Sequence, residues 1–254
     1  MGASCKALRE ATEISWREKG LSVADLTTLG TLGSVLPALE DLRLFERLVG
    51  PDGVQRLAEK LGAGALPGVN WLSLCMPVGD AGASALAAAL DRGALPRFKS
   101  LWLCAGAIGD AGLAALAPAL RRRPALVGLH LISNPLGDEG LAALLAPPSL
   151  AGAPPPPAAG LEKLVSLTLG CTQITDAGCA ALVEALDSGA LPALVVLDLD
   201  NAPASAAAKE AAQAALARSR AASFSPSPTA RWRFVACPER SAYVSETVRD
   251  TLSP

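Results

Sequence analysis

A repeat of about 30 residues constrains the fold of this chain more than any other feature. Residues 66–94 and 95–123 align without a gap over 29 residues. The same frame extends to six units, which begin at Leu36, Leu66, Leu95, Arg123, Leu161 and Leu191. Units of this length cannot bury a core alone and stack on their neighbours, so the repeat predicts a solenoid.

Each unit has two halves with different periodicities. The first half has the pattern apolar-x-x-Leu-x-Leu, as in Phe98, Leu101 and Leu103. Leucines two residues apart point to one face of a strand, so this half predicts a strand with one buried face. The second half has apolar residues at helical spacing after an aspartate, which is Asp80, Asp110, Asp138 or Asp176. An aspartate there is suited to cap the helix that follows it.

The repeat frame also divides the chain into an N-terminal cap, a repeat domain and a C-terminal tail. Residues 36–221 form the repeat domain, and a proline-rich insertion at 146–160 lengthens one unit without adding a helix or an inner strand. Residues 1–35 are expected to form an N-terminal helical cap over the first repeat. Residues 222–254 have little periodicity and several prolines, so a mostly disordered tail is expected there.

Within that cap, two helices are expected. Residues 5–19 place apolar side chains on one side of a helix, and residues 22–35 space leucines three apart.

The repeat motifs resemble the leucine-rich repeats of the ribonuclease-inhibitor type. The resemblance rests on the Leu-x-x-Leu-x-Leu strand followed by AIGDAGLAAL at 107–116 and PLGDEGLAAL at 135–144. It covers residues 36 to about 220 and implies an α/β horseshoe of about six repeats, with parallel strands on the concave face and helices on the convex face. The family's asparagine after the strand remains only as Asn134. A looser backbone ladder is therefore expected in the other repeats.

The frame predicts which side chains line the concave face. Trp71 and Trp102 come from neighbouring strands, and exposed aromatic residues often anchor interfaces. The residues expected to contact a partner are Arg43, Phe45, Trp71, Ser73, Trp102, His130, Thr168, Asp198 and Asp200. The alternatives are a shifted register that buries one ring, or an insertion or tail that covers both.

A redox or catalytic role of this face has weaker support in the sequence than partner binding has. Cys75 and Cys104 occupy equivalent positions on adjacent strands, close enough for a thiol pair, with His130 one strand further along. Cysteine is also an ordinary small residue at such positions. A Cys104–His130 nucleophile would lie on an open face without a third orienting group. The sequence has no HExxH, GxSxG or GxxxxGK[ST] motif, so we expect neither an enzyme nor a cofactor.

Composition limits the partners. The net charge is −2, and no long basic stretch is present, so nucleic acid is not expected as a partner. No apolar run has the length of a membrane helix, and no membrane or small-molecule partner is expected. Six irregularly spaced cysteines do not form a disulfide framework, which favours a reducing, cytoplasmic compartment.

Three functions remain open from the sequence. The first is a non-enzymatic protein-binding scaffold or adaptor that uses the concave face. The second is a regulator of a small GTPase, because GTPase-activating proteins for Ran resemble this fold and act through a rim surface. The loops after the strands share no asparagine–arginine arrangement, so the functional residues of those proteins cannot be placed here. The tail is also not acidic, unlike the tail that those proteins usually carry. The third is a structural subunit of a cytoskeletal or ciliary assembly.

Overall fold

Parallel strands and helices alternate along the repeat region. The computed structural model describes residues 9–32, 36–146, 160–223, 232–234 and 245–247. The strands of the repeat region are β1 (Glu13–Arg17), β2 (Asp41–Phe45), β3 (Trp71–Cys75), β4 (Ser100–Trp102), β5 (Gly128–His130), β6 (Ser166–Thr168) and β7 (Val196–Asp198). The helices are α1 (Val23–Thr31), α2 (Pro51–Gly62), α3 (Gly79–Asp91), α4 (Asp110–Arg121), α5 (Asp138–Leu145), α6 (Asp176–Asp187) and α7 (Ala206–Ser223).

The seven strands form one open sheet in chain order, and every pair is parallel. The central leucines of the strands lie in register with one another, as with Leu101 and Leu129. These leucines are buried with the apolar faces of the helices in one continuous core. The predicted solenoid of parallel strands and outer helices is therefore confirmed.

The N-terminal segment differs from the expectation. The expected helix over residues 5–19 is wrong at Glu13–Arg17, which forms strand β1, whereas Arg9 and Glu10 are helical. Ile14 pairs with Leu42, and Trp16 pairs with Leu44, so the segment adds a seventh strand to the predicted six. The alternation of Ile14 and Trp16 repeats the Leu-x-Leu pattern and outweighs the weaker helical spacing. Residues 1–8 lie outside the described residues.

The second N-terminal helix is confirmed as α1. Ser22 and Asp25 form a capping box at its start, in which each side chain accepts a hydrogen bond from the other residue's backbone N–H. Leu26 and Leu29 are buried against the core. The end of the predicted range, residues 33–35, lies outside the described residues.

The repeated aspartates cap helices, but each caps the helix of the next repeat. Asp110 is the first residue of α4, and its Oδ1 accepts hydrogen bonds from the backbone N–H groups of Gly137 (2.7 Å) and Gly140 (2.8 Å) at the start of α5. A Cβ at Gly140 would lie 2.7 Å from the same oxygen, so glycine is needed there. Asp80, Asp138 and Asp176 make the equivalent bonds to Gly109, Thr175 and Ser205. The aspartates therefore connect neighbouring repeats.

Asn134 makes a second connection between repeats. Its Oδ1 accepts hydrogen bonds from the N–H groups of Gly106 and Ile108, at 3.1 and 3.0 Å. Its Nδ2 donates to the carbonyl oxygens of Leu103 (2.6 Å) and Leu131 (2.8 Å). Thr172, at the equivalent position one repeat later, keeps one such bond, from its hydroxyl to Leu169 O at 2.7 Å.

Side chains of α7 contact strand β7 and the loop that follows it. Gln213 on α7 donates from Nε2 to the carbonyl oxygen of Leu197 at 2.8 Å, and Lys209 donates from Nζ to Ala202 O at 2.7 Å. These bonds satisfy carbonyl groups at the end of the array, where no further repeat follows in the described chain.

Residues 224–254 form a separate unit. Within it the structure describes two short antiparallel strands, β8 (Trp232–Phe234) and β9 (Ser245–Thr247). Residues 222 and 223 of the predicted disordered tail belong to α7, and apart from β8 and β9 its other residues lie outside the described residues, as do residues 147–159 of the proline-rich insertion.

Candidate functional site

The strand register aligns the predicted concave residues in columns. Arg43, Ser73, Trp102, His130, Thr168 and Asp198 follow one another across β2 to β7. Each lies next to a core leucine along its strand and therefore points to the sheet face away from the helices. We call this surface the concave face.

A stacked row of aromatic rings crosses the centre of the concave face. The ring centroids of Trp71 and Trp102 lie 5.4 Å apart, and those of Trp102 and His130 lie 3.9 Å apart. Trp102 Nε1 donates to Ser100 Oγ at 3.2 Å, and His130 Nδ1 lies 3.0 Å from Thr168 Oγ1. Stacking and hydrogen bonds fix the orientation of these rings before any partner arrives.

The middle of this row is less accessible than expected. Trp102 is 8% exposed and His130 is 3% exposed, so the expectation that both tryptophan rings are open to solvent is wrong for Trp102. The register is the predicted one, and burial instead follows because Trp71 and His130 stack on the Trp102 ring. Ser73 and Thr168 are also buried. Trp71 remains half-buried and offers the accessible part of the row.

The N-terminal end of the concave face is aromatic, and its charges are paired. The guanidinium of Arg43 lies 5.6 Å from the centroid of the Trp71 ring. It also forms ion pairs with Asp41 at 2.5 Å and Glu13 at 3.5 Å. Phe45 is half-buried, and the guanidinium of Arg17 lies 4.2 Å from its ring centroid. Arg17 was missed by the sequence analysis because its segment was expected to be helical.

The C-terminal end of the concave face is acidic. Asp198 is half-buried and Asp200 is exposed, and Asp198 Oδ1 accepts a hydrogen bond from the backbone N–H of Asp200 at 2.8 Å. Burial raises the pKa of the Asp198 carboxyl group, and the negative charge of Asp200 raises it further, against the lowering effect of that hydrogen bond. Ser166 on the neighbouring strand is buried, and its hydroxyl has no hydrogen-bond partner within the described chain.

His130 has a strongly perturbed pKa. Burial lowers its pKa from 6.5 to about 3, so the imidazole is neutral at physiological pH. A general base works best with a pKa near the pH of the reaction, which His130 does not have. The ring therefore acts as a neutral member of the stacked row.

Since His130 is the only histidine, its titration can be followed directly. We expect its ring proton signals in NMR to stay constant from pH 8 to pH 5, whereas the urea-unfolded chain titrates near 6.5. Because the unfolded state binds the proton first, the free energy of unfolding should fall by about 2 kcal/mol between pH 8 and 5. This slope should be weaker in His130→Gln. A folded-state transition near pH 6.5 would contradict the burial of the ring.

The described cysteines do not build a metal centre. Cys104 is buried and Cys75 is half-buried, and the Ser73 hydroxyl lies 3.7 Å from Cys75 Sγ. Across the described ranges, no group of three or more histidine, cysteine or acidic side chains is arranged to hold a metal ion. None of the described helices has the length and apolarity needed to cross a membrane.

Comparison with known proteins bears on the fold. A family profile described as "Leucine Rich repeat" matches residues 126–145 and 160–183, which contain β5, α5, β6 and most of α6. The fold is a leucine-rich repeat solenoid. The ribonuclease-inhibitor type within that group stays a prediction. No curated protein sequence matches the chain.

Among solved structures, the chain is similar to an internalin (inlF) from Listeria monocytogenes. The two share 12% sequence identity, with a TM-score of 0.30 over 84% of this chain and 88% of the internalin. This similarity is too low to support any argument about function.

Proposed function

We propose that this protein is a non-enzymatic protein-binding module, a scaffold or adaptor that binds its partner through the concave face. Leucine-rich repeat folds are generally protein-interaction modules, and solenoids use their extended concave surfaces for binding. The observation that most supports the proposal is the stacked row of Trp71, Trp102 and His130 on that face.

The row has the properties of a pre-organised anchor. Binding costs free energy when side chains lose rotamers, and rings already held by stacking and hydrogen bonds lose little further freedom. Trp71 is accessible at one end of the row, with Arg43 beside it, and tryptophan and arginine are enriched among residues that dominate binding energy.

The other concave residues have different roles in this proposal. Arg43, Phe45, Trp71, Asp198 and Asp200 retain accessible surface and contact the partner. Ser73, Trp102, His130 and Thr168 are buried and hold the contact residues in place. A truncation of Trp102 would therefore change stability and binding together, so Trp71 is the better residue for a test.

The test is affinity capture from a lysate of the source cell, followed by mass spectrometry. We expect Trp71→Ser to weaken capture of the specific partner about 30-fold, which corresponds to about 2 kcal/mol. Leu48→Ser is the matched control, since Leu48 is 89% exposed in the loop between β2 and α2.

The same pair of variants separates the alternatives. Loss of the partner only in Leu48→Ser would favour a rim surface, as in a regulator of a small GTPase, and would contradict binding at the concave face. Equal capture by both variants would favour binding through the convex helices, as in a structural subunit.

The cytoplasmic location of the protein stays a prediction.

A further inference from the structure

Asp198 and Asp200 carry negative charge that no cation among the described residues balances through an ion pair. In the described parts of the chain, no lysine or arginine forms an ion pair with either carboxylate. At the N-terminal end of the concave face, by contrast, both Asp41 and Glu13 form an ion pair with Arg43. Burial is the main cause of the raised pKa of Asp198, and the negative charge of Asp200 opposes its ionisation to a smaller extent. A cation placed here would relieve this repulsion.

A second observation on the neighbouring strand points to a ligand independently of charge. Ser166 is 5% exposed, and its Oγ is buried without a hydrogen-bond partner among the described residues. Buried hydroxyl groups in folded proteins are nearly always hydrogen-bonded. Ser166 points to the concave face because the next residue, Leu167, lies in the core. A polar group of a bound chain at this place would satisfy the hydroxyl.

Two glycines beside these groups allow the polar side chains of the face to pack closely. Gly128 pairs with Ser166 in the register, and a Cβ there would lie 2.8 Å from Ser100 Oγ and 3.1 Å from His130 Nε2. A Cβ at Gly170 would lie 3.1 Å from Asp198 Oδ2. Side chains at these positions would clash with the Ser100 hydroxyl, the His130 imidazole and the Asp198 carboxylate.

The geometry points to a basic peptide segment as the partner: we propose that an extended segment crosses the strands, places a lysine or arginine on Asp198 and Asp200, and places an apolar or aromatic side chain on Trp71. Strands β3 and β7 are four strand intervals apart, or about 19 Å. An extended chain covers this distance with about six residues. This inference deepens the proposed function and rests on it.

The experiment is a selection of random dodecapeptides displayed on phage against the full chain, with depletion on the Trp71→Ser protein. We expect the enriched peptides to carry lysine or arginine about six residues from an aromatic or large apolar residue. Synthetic versions of these peptides should bind at least 10-fold more weakly to Asp198→Asn/Asp200→Asn by fluorescence anisotropy. Their binding to wild type should also weaken with added salt.

Glu184→Gln is the matched control, because it removes one exposed carboxylate from the outer helix α6. It should bind the same peptides as wild type does. Enriched peptides without a basic consensus, or with equal affinity for wild type and the double Asn variant, would overturn the basic-partner inference while leaving concave-face binding intact. No enrichment over the Trp71→Ser protein would overturn both.

Discussion

Replacing Leu101 by aspartate is expected to unfold the central repeats. Leu101 is 2% exposed and lies in the middle of the sheet, between Leu72 and Leu129 on the neighbouring strands. A carboxylate there has no counter-ion among the apolar side chains of the core, and burying it costs at least about 5 kcal/mol. That is comparable to the whole stability of many domains. Circular dichroism during urea unfolding should show little or no folded baseline.

The control for this prediction is Leu48→Asp, which introduces the same charge at an 89% exposed position. We expect its stability to stay within about 0.5 kcal/mol of wild type. A Leu101→Asp protein with a cooperative unfolding transition close to that of wild type would contradict the continuous core that holds the solenoid together.

The second large effect is expected for Asn134→Leu. The leucine keeps a similar volume but leaves the buried N–H groups of Gly106 and Ile108 without their acceptor. Each buried donor left unsatisfied costs about 1 to 3 kcal/mol, so the free energy of unfolding should fall by about 4 kcal/mol. Urea unfolding followed by circular dichroism measures this difference.

Thr172→Val is the matched variant one repeat later. It removes a single hydrogen bond, from the Thr172 hydroxyl to Leu169 O, without orphaning an N–H group. We expect a loss of about 1 kcal/mol. Equal effects of the two substitutions would show that Asn134 does not connect the repeats as its hydrogen bonds indicate.

The repeat frame predicts the sheet well because a strand register in a solenoid follows from the spacing of the units. Once Leu101 and Leu129 are equivalent in sequence, they are neighbours in space, and the columns of the concave face follow. The frame also explains Asn201. Asn201 lies one residue before the position equivalent to Asn134, has a φ of 56°, and occupies the left-handed turn position that Ser133 occupies in an earlier repeat.

Contacts between repeats are harder to predict from sequence. The pattern indicates that Asp110 lies at a helix start, but not that its carboxylate reaches the following helix. Likewise, the side-chain directions that stack Trp102 between two rings are not part of the periodicity. The strand at Ile14 and Trp16 does have a sequence signal, since Ile14 precedes Leu42 by 28 residues, as Leu101 precedes Leu129.

Hydroxyl-radical footprinting of the protein, with and without its captured partner, tests binding at the concave face most directly. Trp71 and Phe45 are half-buried residues of that face, and Leu48 lies in the loop that follows β2. We expect the partner to lower the oxidation rates of Trp71 and Phe45 and to leave that of Leu48 unchanged. Protection of Leu48 with unchanged oxidation of Trp71 and Phe45 would contradict binding at the concave face.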